Sequence, residues 1–142
     1  MIPLEKKIIQ MISKKGPIQI SEYMKICMTD PEHGYYQTRK PFGLEGDFTT
    51  APEISQIFGE IIAIWVISTW RQMSKPPYFL LCEAGPGRGT LMDDILRSLK
   101  KLVPEFLESA KIILIEKSTR LIEIQKKNFF HIVSTYNGLE IS

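Results

Sequence analysis

The sequence predicts an α/β fold: N-terminal helices and a loop, followed by the first βαβα part of a doubly wound, Rossmann-like parallel sheet. Three observations predict it. Apolar residues recur at helical spacing in two segments before Asp30, two short apolar runs around residues 79–83 and 111–116 each lead into a helical pattern, and a glycine-rich turn sits where the first run hands over. A chain of 142 residues with 44% hydrophobic and 24% charged residues holds enough apolar side chains for a packed core, which excludes wholesale disorder.

In chain order, Leu4, Ile8, Met11 and Ile12 form one apolar stripe between Pro3 and the Gly16-Pro17 break, which predicts an amphipathic helix. Ser21 is a candidate N-cap for a second, short helix through Tyr23, Met24, Cys27 and Met28 that stops at Asp30-Pro31. Residues 30–53 carry neither helical nor strand period but are rich in glycine, proline, acids and aromatics, the composition of an ordered binding loop. From Ile54 to Met73 apolar residues spread almost all round a helix, which predicts a largely buried one. Pro76-Pro77 ends that segment, and a strand, a glycine turn and a helix through Leu91, Ile95, Leu99 and Leu102 follow. Pro104 limits this helix. A second strand in KIILIE, a helix in STRLIEIQKKNF and a third strand near Ile132 and Val133 complete the pattern. The expected organisation is residues 1–53 as helices and binding loop, and 54–142 as a partial nucleoside-binding domain, truncated at its C-terminus. The open edge of so small a sheet, with the apolar face of the Ile54 helix, predicts self-association.

Composition narrows the function classes. The longest apolar run, Ile61 to Ile67, is far shorter than the roughly 18 residues of a membrane-spanning helix, so no membrane insertion is expected. The N-terminal stretch has neither the cleavage site of a secretory signal nor the arginines of a transit peptide, which predicts a bacterial cytoplasmic protein, or a mitochondrial one if the source is eukaryotic. Cys27 and Cys82, far apart, and two histidines predict neither disulfide nor metal site, and Cys82 is expected inside a strand as a small buried hydrophobe. The basic residues between 97 and 127 form no dense block, so no nucleic-acid partner is expected.

The chemistry concentrates at Glu83-x-Gly85-x-Gly87-x-Gly89. Glycines there allow positive φ and close approach of a ligand to the backbone, although a tight turn with no ligand is the competing reading. Thr90 stands where a dinucleotide fingerprint needs glycine or alanine, and no Lys-Ser/Thr pair completes a phosphate loop. A carboxylate at the strand end repels phosphate and suits a cationic amine. This resembles the first motif of class I S-adenosylmethionine methyltransferases, and Glu116, ending KIILIE, stands where that class places the acid that accepts the ribose hydroxyls. Glu83, Gly85, Gly87, Gly89 and Glu116 are therefore the expected cofactor-binding residues and S-adenosyl-L-methionine the expected cofactor.

Read with the loop, the resemblance becomes specific. YMKICMTDPEHGYYQTRKPFGLEGDFTTAPEISQIFGEIIAIW (23–65) and LLCEAGPGRGTLMDDILR (80–97) are similar to the MidA-like protein arginine methyltransferases, a family that includes the mitochondrial complex I assembly factor. The similarity is strongest in Asp30–Tyr36, Gly46–Glu60 and Glu83–Met92. It implies a class I methyltransferase fold with added helices, a protein substrate, and symmetric dimethylation of an arginine in a complex I subunit during assembly. It also places the loop holding Asp47 and Glu53 against the cofactor pocket. These two acids are the expected catalytic residues, orienting a guanidinium; capping of the loop and of the Ile54 helix is the plainer role for both. Relatives continue well beyond the length of this chain, so a non-catalytic cofactor-binding or protein-interaction module is the alternative reading, and a nucleotide-binding oxidoreductase a third.

Overall fold

The computed structural model describes residues 2–39, 41, 46–129 and 139–141. Eight helices and three strands follow in the order α1 (Pro3–Lys15), α2 (Ile20–Thr29), α3 (Tyr35–Thr38), α4 (Ala51–Ile54), α5 (Gln56–Gln72), β1 (Phe79–Ala84), α6 (Thr90–Leu102), α7 (Pro104–Ser109), β2 (Ala110–Ile115), α8 (Thr119–Asn128) and β3 (Leu139–Ile141) among these residues. This is a partial Rossmann-like fold. The sheet is parallel throughout, with β2 between β1 and β3. Phe79 pairs with Ala110 and the register runs without a slip to Ala84 opposite Ile115.

The core lies between the sheet and the α5–α6–α7 layer. Ala63, Val66, Ile67 and Trp70 of α5 meet Met92, Ile95, Leu96 and Leu99 of α6, with Phe106 of α7 and Ile112 and Leu114 of β2. The Phe106 ring stacks edge-on against both Trp70 and Phe79, at centroid distances of 5.4 and 4.7 Å. Helices α5 and α6 touch at Gly59, where a Cβ would lie 2.4 Å from that of Asp94. Only glycine permits that approach.

The N-terminal helices are tied down by polar contacts rather than by burial. The Asp30 carboxylate, almost wholly buried, accepts from the Lys7 ammonium of α1 and from the backbone N–H groups of Glu32 and His33. Helix α3 and the residue after it are in turn bonded to the start of α8: the Ser118 hydroxyl, at its N-cap, donates to the Tyr36 carbonyl at 2.9 Å and Arg120 donates to the Arg39 carbonyl at 2.6 Å.

Several sequence expectations change. The segment 30–53 contains two single-turn helices, α3 and α4, and the helix expected from Ile54 is divided at Ser55, whose side chain caps α5 by accepting from the Ile57 N–H. Helix α5 is not largely buried: Ile57, Ile61, Ile64 and Trp65 are exposed, because only the opposite face meets α6 and the core. Cys82 is exposed, since β1 is an edge strand on which alternate side chains lack a covering layer. Helix α2 starts at Ile20, with Gln19 rather than Ser21 at the cap position. The third strand is observed at Leu139–Ile141, while the predicted site near Ile132 and Val133 lies outside the described residues. Among the described residues no helix is long and apolar enough to cross a membrane.

The bond from Lys7 holds the Asp30 carboxyl below its ordinary range, with the His33 and Glu32 N–H groups adding to it against the opposing effect of burial. A carboxyl depressed in the folded state stabilises fully above its unfolded pKa of about 4 and loses that contribution as pH falls through the folded value. Asp30→Asn is expected to lower thermal stability at neutral pH and to narrow the gap from the parent chain on acidification; melting curves between about pH 3 and 7 check it, and a gap that stays constant would refute it.

Candidate functional site

Parallel pairing brings the ends of β1 and β2 to one edge of the sheet, and both expected acids are there. The chain leaves β1 through Gly85, whose N–H donates to the Ile115 carbonyl of β2 at 2.9 Å. It then turns through Gly85, Gly87 and Gly89, with φ of 68°, 58° and 84°. All three lie in the left-handed region that favours glycine, and a Cβ on Gly89 would also sit 2.5 Å from the Phe129 ring. The turn closes with the Gly89 N–H donating to the Pro86 carbonyl, and α6 starts at Thr90.

Two cavities meet at this turn, sharing Gly85 and Gly87. The first, about 380 Å³, is lined on one side by Ala84, Gly85 and Gly87 and on the other by Glu116, Lys117 and Leu121, with Thr29 and Tyr36 supplied by the N-terminal region. Glu116 is fixed in place there: its Oε1 accepts from the N–H groups of Lys117 and Ser118 at 2.8 and 2.9 Å. That leaves acceptor capacity on the carboxylate for a pair of vicinal hydroxyls.

The second cavity, about 180 Å³, lies on the other side of the turn and is lined by residues including Glu53, Glu83, Arg88 and Thr90. Here Glu53 Oε1 accepts from the Thr90 hydroxyl at 2.8 Å, and its Oε2 is 3.4 Å from the Arg88 guanidinium. Glu83 has no such support. Its Oε2 is buried without a hydrogen-bond partner among the described residues, and burial pushes its carboxyl up to about 7. A buried orphan carboxylate is costly unless a cation meets it.

The structure thus brings Glu53, Glu83, Gly85 and Gly87 around one cavity, and Gly85, Gly87 and Glu116 around its neighbour. Gly89 lines a separate depression with Thr90, Asp93 and Asn128. Asp47 lines neither of the two main cavities. It is exposed and accepts from the Tyr35 hydroxyl at 2.6 Å, a bond that holds the Tyr35 phenol up to about 12, while the Tyr35 ring packs edge-on against Phe48. Arg88 at the turn pairs with Glu53. Tyr36, Lys117, Leu121 and Thr90 were not among the expected site residues. Tyr36 and Thr90 lie within the quoted motifs, whereas no spacing signal marks Lys117 or Leu121.

A parallel sheet with a glycine turn after its first strand, an acid at that strand's end and a second acid at the end of the next defines an α/β nucleoside-binding protein of the methyltransferase type. The sequence profile of the family described as "Putative S-adenosyl-L-methionine-dependent methyltransferase" matches residues 61–136, and the chain belongs to that family. It is 53% identical over 98 residues to the protein arginine methyltransferase NDUFAF7 homolog, mitochondrial, of Drosophila melanogaster, covering 69% of this chain and 22% of that protein. It is 47% identical over 125 residues to the Homo sapiens protein arginine methyltransferase NDUFAF7, mitochondrial, covering 87% of this chain and 28% of that protein. Among solved structures, a COG1565 superfamily member from Burkholderia thailandensis bound to S-adenosyl-homocysteine superposes with a TM-score of 0.77 at 22% identity, over 98% of this chain and 36% of that one, and so shares the fold. The chain spans less than a third of the length of these curated relatives.

The residues present fit S-adenosylmethionine. The Glu83 carboxylate, with Oε2 buried and unpaired among the described residues, suits its cationic amine, and Glu116, with acceptor capacity left, suits its ribose. A cationic ligand stabilises ionised Glu83, so affinity for S-adenosyl-homocysteine should rise with pH up to about 7, by as much as roughly tenfold per unit. Titration calorimetry should show this rise abolished in Glu83→Gln, while Glu116→Ala should weaken binding and leave the pH trend intact; a parent chain whose affinity is flat from about pH 5 to 8 would rule out the Glu83 contact.

Proposed function

We propose that this chain supplies the cofactor site and part of the acceptor site of an S-adenosylmethionine-dependent protein arginine methyltransferase. One observation carries the reading: two cavities share the glycine turn, one ending in Glu116 and the other in the carboxylates Glu53 and Glu83. A nucleoside fits the first. The second offers two acids, Glu83 for the cofactor's amine and Glu53 for a cationic acceptor, and the names of the relatives point to arginine as acceptor. By the MidA-like resemblance the acceptor belongs to a respiratory complex I subunit, methylated in the bacterial cytoplasm or, in a eukaryote, in the mitochondrion. Division near residue 53, into helices with a binding loop and a nucleoside-binding unit, is part of this proposal.

S-adenosylmethionine, when bound, supplies an electrophilic methyl group on a sulfonium sulfur. The protein's part in such a displacement is to align donor and acceptor and keep water out. Glu116 holds the ribose, and Glu83 the amine. Glu53, anchored by Thr90 and Arg88, presents a fixed carboxylate to the acceptor guanidinium. That group is far too basic for a carboxylate to deprotonate in water, so the role of Glu53 is orientation. Asp47 acts one step further out, through Tyr35 and the Phe48 side of the loop.

Glu53→Gln keeps the shape and loses the charge. We expect turnover of an arginine peptide to fall by about a hundredfold or more with S-adenosyl-homocysteine affinity changed less than about threefold, measured on the chain in its full-length context. Equal losses in both would remove Glu53 from the acceptor side. Self-association is also expected, because β1 offers an open parallel edge beside the exposed Ile57, Ile61, Ile64 and Trp65 of α5. Light scattering checks it, and a monodisperse monomer would refute it.

A further inference from the structure

The glycine turn is held from behind by α8. Gln125 is fully buried, and its Nε2 donates to the Gly87 carbonyl at 2.7 Å. Three residues on, Asn128 Nδ2 donates to the Arg88 carbonyl at 3.0 Å. Gln125, Asn128 and the fully buried Phe129 fall on one helical face, at i, i+3 and i+4, and Phe129 packs under Gly89. Two consecutive carbonyls of a left-handed turn are thereby fixed by side-chain amides from a single helix.

The other end of the same helix holds Glu116. Ser118, the N-cap of α8, donates its N–H to Glu116 and its hydroxyl to the Tyr36 carbonyl, and Leu121 lines the nucleoside cavity. The helix therefore spans the distance between Glu116 and the glycine turn as a rigid strut.

We propose that Gln125, seconded by Asn128, is a positioning residue for the cofactor site: it sets the peptide planes of the glycine turn and couples them to the Glu116 end of the nucleoside cavity. This rests on the cofactor reading above. In a planar trans peptide the C=O and N–H point opposite ways, so fixing the Gly87 carbonyl on α8 turns the Arg88 N–H away from α8. The amide orientation is itself determined, because a flipped Gln125 would set Oε1 against the Gly87 carbonyl. As placed, Oε1 is buried with no hydrogen-bond partner among the described residues. A glutamine kept in an apolar site with half its amide unsatisfied is explained by what the other half holds.

The test compares the parent chain with Gln125→Leu, which keeps the bulk and removes the donor, and with Ile95→Val, a core change remote from the turn. Hydrogen exchange of the backbone amides of Gly85 and of residues 87–90, read without ligand, should accelerate about tenfold or more in Gln125→Leu and stay unchanged in Ile95→Val at matched thermal stability. Affinity for S-adenosyl-homocysteine should fall about tenfold in the first variant alone, and Asn128→Ala should show a smaller loss of the same kind. Unchanged exchange in Gln125→Leu would overturn the strut. Faster exchange with unchanged affinity would overturn its role in binding. A parent chain that binds no S-adenosyl-homocysteine while exchange responds as expected would overturn the cofactor reading and the positioning role with it, leaving α8 as a brace of the turn. If Gln125→Leu fails to fold, exchange and affinity in Asn128→Ala decide the matter, and unchanged values there overturn the proposal.

Discussion

The parallel pairing of β1 with β2 is the constraint on which the site depends. Two parallel strands end at the same edge, so the chain leaving each must turn there, and whatever stands at the two strand ends becomes neighbouring surface. Glu83 and Glu116 are 33 positions apart in sequence. The register that pairs Ala84 with Ile115 and bonds Gly85 to the Ile115 carbonyl puts both acids beside the glycine turn, one on each of the two cavities that share it. Had the strands been antiparallel, the acids would lie at opposite ends of the sheet.

A turn of this kind carries a cost that its surroundings must offset. Left-handed backbone and buried carbonyls are tolerated only where glycine relieves the sterics and a donor meets each oxygen. Helix α8 supplies the donors, α3 and the β2–α8 connection tie the N-terminal region to the same place, and Glu53 of α4 reaches Thr90 at the start of α6. Two buried side-chain oxygens have no hydrogen-bond partner among the described residues, Gln125 Oε1 and Glu83 Oε2. At Glu83, on the cavity it lines with Glu53, burial also raises the pKa of the carboxyl.

The elements that were legible in sequence are those with strong local signals. The βαβα order, the Pro104 break and the α6 stripe follow from periodicity and punctuation. Exposure was less legible. The apolar residues of α5 encircle the helix, and periodicity alone gives no sign of which half meets α6; Gly59 against Asp94 settles that. Cys82 looked internal because an apolar strand reads the same at the edge of a sheet as at its centre. The short helices α3 and α4 are single turns in a segment dominated by glycine and proline, too brief for any period to register.

The site divides in the same way. By itself the sequence marked the glycine turn and the acids Glu83 and Glu116, because close backbone approach and charge call for particular residue types at the ends of two apolar runs, while Glu53 was marked together with Asp47 by the family resemblance. Only the tertiary structure decided that Glu53 joins Glu83 at one cavity while Asp47 is held by Tyr35 outside both, and that Gln125 and Asn128 brace the turn. Those facts depend on which surfaces face each other once α3, α4 and α8 have packed around the strand ends, and a linear pattern of residue types carries no record of contacts between segments so far apart.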